Sequence, residues 1–306
     1  MSDGRTHLEE LRAGSKAQLS RALAAAEIER TDAATTALLD AAWQDPRAHV
    51  IGLTGPPGVG KSSLLDVLIR RERTAGRTVG VVVVDPSSKL SGGALLGDRI
   101  RLRLDPEDNG VFVRSLAAGD RLGGLSVSSF PVIALMRAIF DVVLVETVGV
   151  GQSEADVIDV ADTVLLCIQP GSGDSLQFIK SGLVELPHIL VINKADMTLE
   201  ARRARADAEG ALLVTGERRE GWKTAIVAVS ARTRTGFDDL DAAIVAHADW
   251  LATGGRRESI RNRQAIGWLR GAVREQFGLR GLRDMVDFGS DDIASPFETR
   301  SHLCRP

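Results

Sequence analysis

Over residues 1–45, apolar positions recur at broadly helical intervals among Ala, Glu and Arg: Leu8, Leu11, Leu19, Leu23, Ile28, Leu38 and Leu39. That spacing predicts helices, and Pro46 ends them. From 47 to 250 the pattern changes. Short β-branched runs at 49–54, 79–84, 111–114, 141–145, 163–168, 188–192 and 225–229 alternate with longer amphipathic stretches. Near-continuous apolar runs suit strands buried on both faces, so the expected fold is α/β, with a mainly parallel sheet covered by helices on both faces. Residues 251–306 open on Thr253-Gly254-Gly255, which reads as a flexible joint. An Arg-rich helical stretch follows at 256–277, with Ile260, Ile266, Trp268, Leu269, Val273 and Phe277 as its apolar positions. The expected organisation is an N-terminal helical extension (1–46), a main domain (47–250) and a C-terminal helical arm (251–306).

The first strand runs into Gly55-Pro56-Pro57-Gly58-Val59-Gly60-Lys61-Ser62, which matches GxxxxGK[ST]. A helix expected at 62–73 follows, so the motif has the strand–loop–helix context of a P-loop NTPase. The glycines let backbone N–H groups turn inward on phosphate, and the helix N-terminus adds partial positive charge. Lys61 is placed to reach the β- and γ-phosphates, Ser62 to ligate Mg²⁺, and Ser63 extends the cradle.

A base site is expected at the end of the sixth strand, where Asn193-Lys194-Ala195-Asp196 matches NKxD. The Asp196 carboxylate can accept from both guanine N1–H and the exocyclic amine, a donor pair that adenine lacks. The Lys194 stem can cover the base, and Asn193 can tie the loops together or reach N7. Ser230-Ala231 at the next strand end resembles the SA[KL] loop, whose Ala backbone N–H meets guanine O6. NKAD alone can also be a turn with a helix N-cap; behind a P-loop and ahead of Ser230-Ala231, the guanine reading is preferred.

Three acidic residues are candidates for Mg²⁺ and the attacking water. Glu146 ends the buried run before Gly149, Asp85 ends the second strand, and Asp98 follows in Gly97-Asp98-Arg99. Glu146 is the strongest Walker-B candidate, because an acid at a strand end beside the P-loop is what that role requires. The Gly149 N–H can sense the γ-phosphate.

Composition narrows the classes. The chain of 306 residues carries 38 Lys+Arg against 41 Asp+Glu, a net charge of -3, without the basic excess of a nucleic-acid binder. Its two cysteines, Cys167 and Cys304, form no CxxC, which suggests neither a disulfide framework nor a zinc site. No apolar run approaches the roughly 18 residues that span a bilayer, and the polar start has no signal core. A cytoplasmic protein with no membrane or nucleic-acid partner is expected.

Taken together, GPPGVGKS (55–62), VDPSS (84–88), SGGALLGDRIRL (91–102), LGGLS (122–126), VLVETVGVGQSE (143–154), QPGSGDSLQFIKSG (169–182) and NKAD (193–196) resemble the MeaB/ArgK-type P-loop GTPases, chaperones of adenosylcobalamin-dependent acyl-CoA mutases. The likeness runs from about residue 8 to about 300, in order. It implies GTP and GDP as ligands and the methylmalonyl-CoA type of mutase as partner. It also implies Mg²⁺ and hydrolytic water arranged by Asp85, Asp98 and Glu146, and a 169–182 loop, carrying Asp174 and Lys180, that the mutase contacts. A homodimer joined through the C-terminal helices is implied as well. The 126–138 stretch is more apolar than that resemblance leads one to expect.

Two other activities use parts of this pattern. A metal-insertion GTPase needs a soft-ligand cluster, whereas the histidines at 7, 49, 188, 247 and 302 are scattered along the chain. A small-molecule kinase needs an acceptor pocket and usually an ATP site, which NKAD disfavours. Intact Lys61, Ser62, Glu146 and Asp196 argue against a scaffold with a vestigial site.

Overall fold

The computed structural model describes residues 2–28, 32–85, 105, 107–117, 125–147, 156–171, 187–215, 221–284 and 295–303. Asp98, Gly149, Asp174 and Lys180 lie outside the described residues, as does the side chain of Asp85.

Among the described residues, seven parallel strands form one sheet in the order β3-β2-β4-β1-β5-β6-β7. They are β1 (His49–Thr54), β2 (Val79–Asp85), β3 (Val111–Ala117), β4 (Val142–Glu146), β5 (Thr163–Ile168), β6 (Ile189–Ile192) and β7 (Ala225–Ala228). Successive residues point to opposite faces, and here each face meets its own core. Val50, Val82, Val84, Val143, Val145 and Val164 belong to one cluster. Ile51, Leu53, Val81, Val83, Leu144, Leu165 and Cys167 belong to the other. Burial on both sides explains why the strands read as apolar runs rather than as alternations.

Helix α4 (Lys61–Thr74) and α7 (Phe237–Ala252) cover the second face, through Leu64, Leu65, Leu68, Phe237 and Leu240. The first face carries α5 (Ser129–Ile139), buried along almost its whole length. This is why 126–138 is so apolar: the helix has protein on all sides. Over it lie α1 (Ser2–Ala13), α2 (Lys16–Glu27) and α3 (Ala33–Gln44), together with α8 (Arg256–Asp284) and α9 (Pro296–Leu303). Leu8, Leu23 and Leu39 share a core with Leu135, Trp268 and Phe297. Phe130 of α5 stacks on Trp268 at 5.1 Å and faces Trp43 and Phe297 at 6.1 and 6.0 Å. Helix α6 (Thr198–Thr215) follows the base-site strand and buries Ala201 and Ala208 on β6.

The joint expected at Thr253-Gly254-Gly255 is a closed turn. Arg256 Nη1 donates to Thr253 O at 2.9 Å, and its guanidinium lies 4.7 Å over the Trp250 ring. A buried ion pair anchors α8 beyond the turn. Arg261 Nε and Nη2 donate to Asp162 Oδ1 and Oδ2 at 2.8 and 2.7 Å, and Nη2 also donates to Ala48 O at 3.0 Å. Asp162 Oδ2 accepts in addition from Val50 N at 2.8 Å, so one carboxylate joins α8 to the start of β1. The helix breaks at Gly278, whose φ of 64° is left-handed, one residue past the expected end at 277.

The histidines are less scattered than the sequence suggests. His49, His188 and His247 converge at the N-terminal ends of β1, β5 and β6. His188 and His247 stack at 4.1 Å, and Thr163 Oγ1 lies 2.7 Å from both His49 Nε2 and His247 Nδ1. A parallel sheet aligns all its strand starts on one edge, which brings together residues more than a hundred positions apart. The rings bond to Thr163 and to backbone, and among the described residues no group of three or more His, Cys, Asp or Glu could hold a metal ion.

Candidate nucleotide site

The C-terminal ends of the strands form the opposite edge of the sheet, and those of the expected site residues that the structure describes gather there. β1 lies at the topological switch: the chain goes out to β2 and β3 and back to β4 on one side, then to β5, β6 and β7 on the other. Ligands of open α/β sheets bind at such a point.

Gly55 leaves β1 with φ 135°, and a Cβ there would sit 2.2 Å from Cys167 O. Only glycine allows both that backbone and that approach to β5. Gly60 caps α4 with φ 96°, and a Cβ on it would meet Asn193 Nδ2 at 2.5 Å. Val59 is fully buried and pins the loop from below, while Pro57 and Gly58 are exposed at its tip. Lys61 is buried, and its Nζ donates to Gly55 O at 2.7 Å and Pro56 O at 3.1 Å. Its ammonium therefore lies along the inner edge of the phosphate loop.

Ser62 Oγ donates to Glu146 Oε1 at 2.9 Å. The register explains the meeting: Glu146 ends β4 opposite Leu53 of β1, one residue before that strand turns into the loop. Glu146 is buried and Ser62 half-buried, so hard oxygen donors from α4 and β4 face each other beside the loop, the donor chemistry that Mg²⁺ takes. Asp85 ends β2 on the same edge, two residues beyond Val83, which pairs with Glu146. Ser63 is exposed on the first turn of α4.

Asn193 lies between the phosphate loop and the Ser230 loop. Its Nδ2 donates to Val59 O at 2.9 Å, and its Oδ1 accepts from Ala231 N at 3.3 Å. One fully enclosed amide thus joins the phosphate loop, the NKAD loop and the Ser230 loop. Ala231 N–H, expected to face guanine O6, makes this long bond to Asn193. Lys194 adopts a left-handed φ of 58°. Its Nζ reaches back to Gly58 O at 2.9 Å and Gln169 Oε1 at 2.5 Å. The stem therefore spans from the base loop to the phosphate loop.

Asp196 Oδ1 accepts from Ser230 Oγ at 2.5 Å. Its Oδ2 accepts from Arg232 Nε at 3.0 Å and Nη2 at 2.5 Å. These bonds, Ser230 first and Arg232 next, hold the carboxyl below its ordinary range. Ser230 is fixed in turn by an antiparallel bridge to Thr235.

Three contributors escaped the sequence reading. Cys167 supplies the backbone carbonyl against Gly55, and burial pushes its own thiol up to about 12, where it is inert. Gln169 follows the buried β5 directly, the position that carried the signal. Arg232 stands immediately after Ser230-Ala231, at the third position of the SA[KL] pattern, where the reading had stopped at its first two residues.

The family described as methylmalonyl-CoA mutase-associated GTPase MeaB matches residues 19–283. A relative from Pyrococcus horikoshii is 46% identical over 212 residues, 68% of this chain and 67% of its own length. The GTPase ArgK of Escherichia coli is 36% identical over 275 residues, 87% of this chain and 82% of its own. Among solved structures, the LAO/AO transport system kinase superposes with a TM-score of 0.72 at 27% identity, covering 99% of this chain and 97% of that one.

Proposed function

The chain belongs to the MeaB family of methylmalonyl-CoA mutase-associated GTPases, and from that premise we propose that its GTP cycle gates cofactor loading and repair in an adenosylcobalamin-dependent acyl-CoA mutase. The chain is itself a P-loop GTPase. The observation that carries the reading is the Asn193 bridge, which makes phosphate loop and base loops one unit. A nucleotide held at both ends then couples γ-phosphate chemistry to the surrounding loops.

In this reading Lys61 exchanges the Gly55 and Pro56 carbonyls for β- and γ-phosphate oxygens. Ser62 and Glu146, with Asp85 and Asp98, would hold Mg²⁺, which when bound would supply charge neutralisation at the phosphates. Glu146 orients water through its buried carboxylate. The cradle of Gly55, Pro56, Pro57, Gly58, Val59, Gly60 and Ser63 lends backbone N–H groups wherever the residue is not proline. Asp196 takes the guanine donor edge, Lys194 covers the base, and Gly149 reports the γ-phosphate. Dimerisation through the C-terminal helices belongs to the same reading.

In this reading the partner completes the transition-state shell around the γ-phosphate. Single-turnover GTP hydrolysis, with and without a B12-dependent acyl-CoA mutase, is the test. Acceleration of about tenfold or more is expected; no acceleration by any such mutase refutes the chaperone reading and leaves the GTPase intact. Asp196→Asn tests base recognition: it turns one acceptor into a donor and is expected to shift preference from GDP to XDP. An unchanged ratio refutes the role given to Asp196.

A further inference from the structure

A carboxylate offers about four lone-pair positions. At Asp196 three of them are taken by this chain: one on Oδ1 by Ser230, and both on Oδ2 by Arg232 Nε and Nη2. Guanine presents two donors side by side, N1–H and the exocyclic amine, and needs an acceptor on each oxygen. Oδ1 has one position left for it. Oδ2 has none while Arg232 stays. Ser230 can therefore keep its bond when a base binds, whereas Arg232 cannot.

The surroundings of the two partners differ in the way a displaceable contact requires. Ser230 is buried and locked by its bridge to Thr235. The Arg232 side chain is 77% exposed, against 17% for Asp196. A guanidinium released from such a position returns to water at little cost. Until then it neutralises the carboxylate and closes its outer oxygen.

We propose that Arg232 is a gate on the base site: it occupies the Asp196 acceptor that guanine needs, and base binding must displace it. The inference rests on Asp196 as the guanine reader. It adds a competitor built into the chain, so that measured nucleotide affinity includes the cost of opening the Arg232–Asp196 pair. Arg232 is a positioning residue and takes no part in hydrolysis.

The sign of the effect separates this from ordinary electrostatics. Removing a positive charge near an anionic nucleotide should weaken binding. Removing a gate should strengthen it. GDP affinity of wild type, Arg232→Ala and Arg232→Lys is measured calorimetrically with Mg²⁺ at roughly 50 and 500 mM NaCl. Arg232→Ala is expected to bind GDP about 2- to 5-fold tighter at low salt, the range of an exposed ion pair. The ratio of wild-type to variant Kd cancels the phosphate contribution common to both, and it should fall toward unity at high salt as the pair is screened. Arg232→Lys keeps the charge but loses the two-donor fork, and should give a gain of the same sign. Unchanged or weaker GDP binding by Arg232→Ala overturns the proposal, as does a gain that salt leaves untouched. Asp196→Asn distinguishes the two ways of failing. If it leaves the GDP over XDP ratio unchanged, guanine reading fails and the gate with it. If it shifts preference to XDP while Arg232→Ala leaves GDP affinity as it was, the gate alone fails.

Discussion

Arg261→Met is expected to destabilise the protein more than any exposed substitution on the same helix. The guanidinium makes two charge-assisted bonds to Asp162 and one bond to Ala48 O. The side chains are 10% and 2% exposed, so water does not replace what is lost. Breaking a buried pair by removing one member costs about 3–5 kcal/mol, because the other charge stays uncompensated. For a chain of this size that lowers Tm by roughly 10 °C. The pH dependence gives a second reading of the same physics. In the wild type, burial pushes the Asp162 carboxyl up, but the Arg261 charge and hydrogen bonds, with His49 and Arg137, outweigh it and hold it well below the ordinary 3.8. Its contribution is therefore fully present above the unfolded value and is lost only as pH falls through the lower folded one. In the variant burial dominates, the folded value rises above the unfolded one, and the penalty is relieved on acidification. Urea unfolding followed by tryptophan fluorescence at pH about 7.5 and about 5 should thus show the gap between the two proteins narrowing at the lower pH. Adding Asp162→Asn to the variant should recover part of the loss, since the amide oxygen can still accept from Val50 N. A cost below about 1 kcal/mol, or a gap that ignores pH, would show that the pair is solvated and does not hold α8 to the sheet.

Lys61→Ala is expected to lose GTP and GDP affinity by about tenfold or more while unfolding within a few degrees of wild type, since Lys61 acts as a point charge on phosphate that a small side chain can replace structurally. Titration calorimetry beside a thermal melt checks it; wild-type affinity refutes the phosphate assignment. Acidification should destabilise the wild type through its buried histidines. Burial lowers His49 from 6.5 to about 4, so the folded protein binds fewer protons and stability falls as pH drops through the unfolded value toward the folded one. His49 alone accounts for about 2 kcal/mol between pH 7.5 and 5. Urea midpoints of wild type and His49→Gln across that window test this, and equal slopes would refute it.

The phosphate and base motifs were legible in the sequence because each is local. GPPGVGKS and NKAD place their groups by backbone turns within eight residues, and turn chemistry survives in any fold that has the strand before it. The strands were legible for a related reason: burial on both faces demands unbroken β-branched runs. Their starts were less so. Asp141 and His188, expected inside strands, stand just before them. Asp141 Oδ2 takes Thr78 N and His188 Nδ1 takes Val164 N, so a side chain does what a ladder carbonyl otherwise does.

Only the tertiary structure decided which distant residues meet. The β1–β4 register sets Glu146 against Ser62, eighty-four residues earlier in the chain. The order of strands gathers three histidines on one edge and the nucleotide groups on the other. The helices before Pro46 and after Gly255 close over α5 and share its core, a partnership that amphipathic periodicity cannot show because it marks an apolar face without naming what covers it. Arg232 was unreadable for the same reason. A lone arginine in a turn reads as solvated, and it becomes a competitor for guanine only once the fold sets Asp196 across from it.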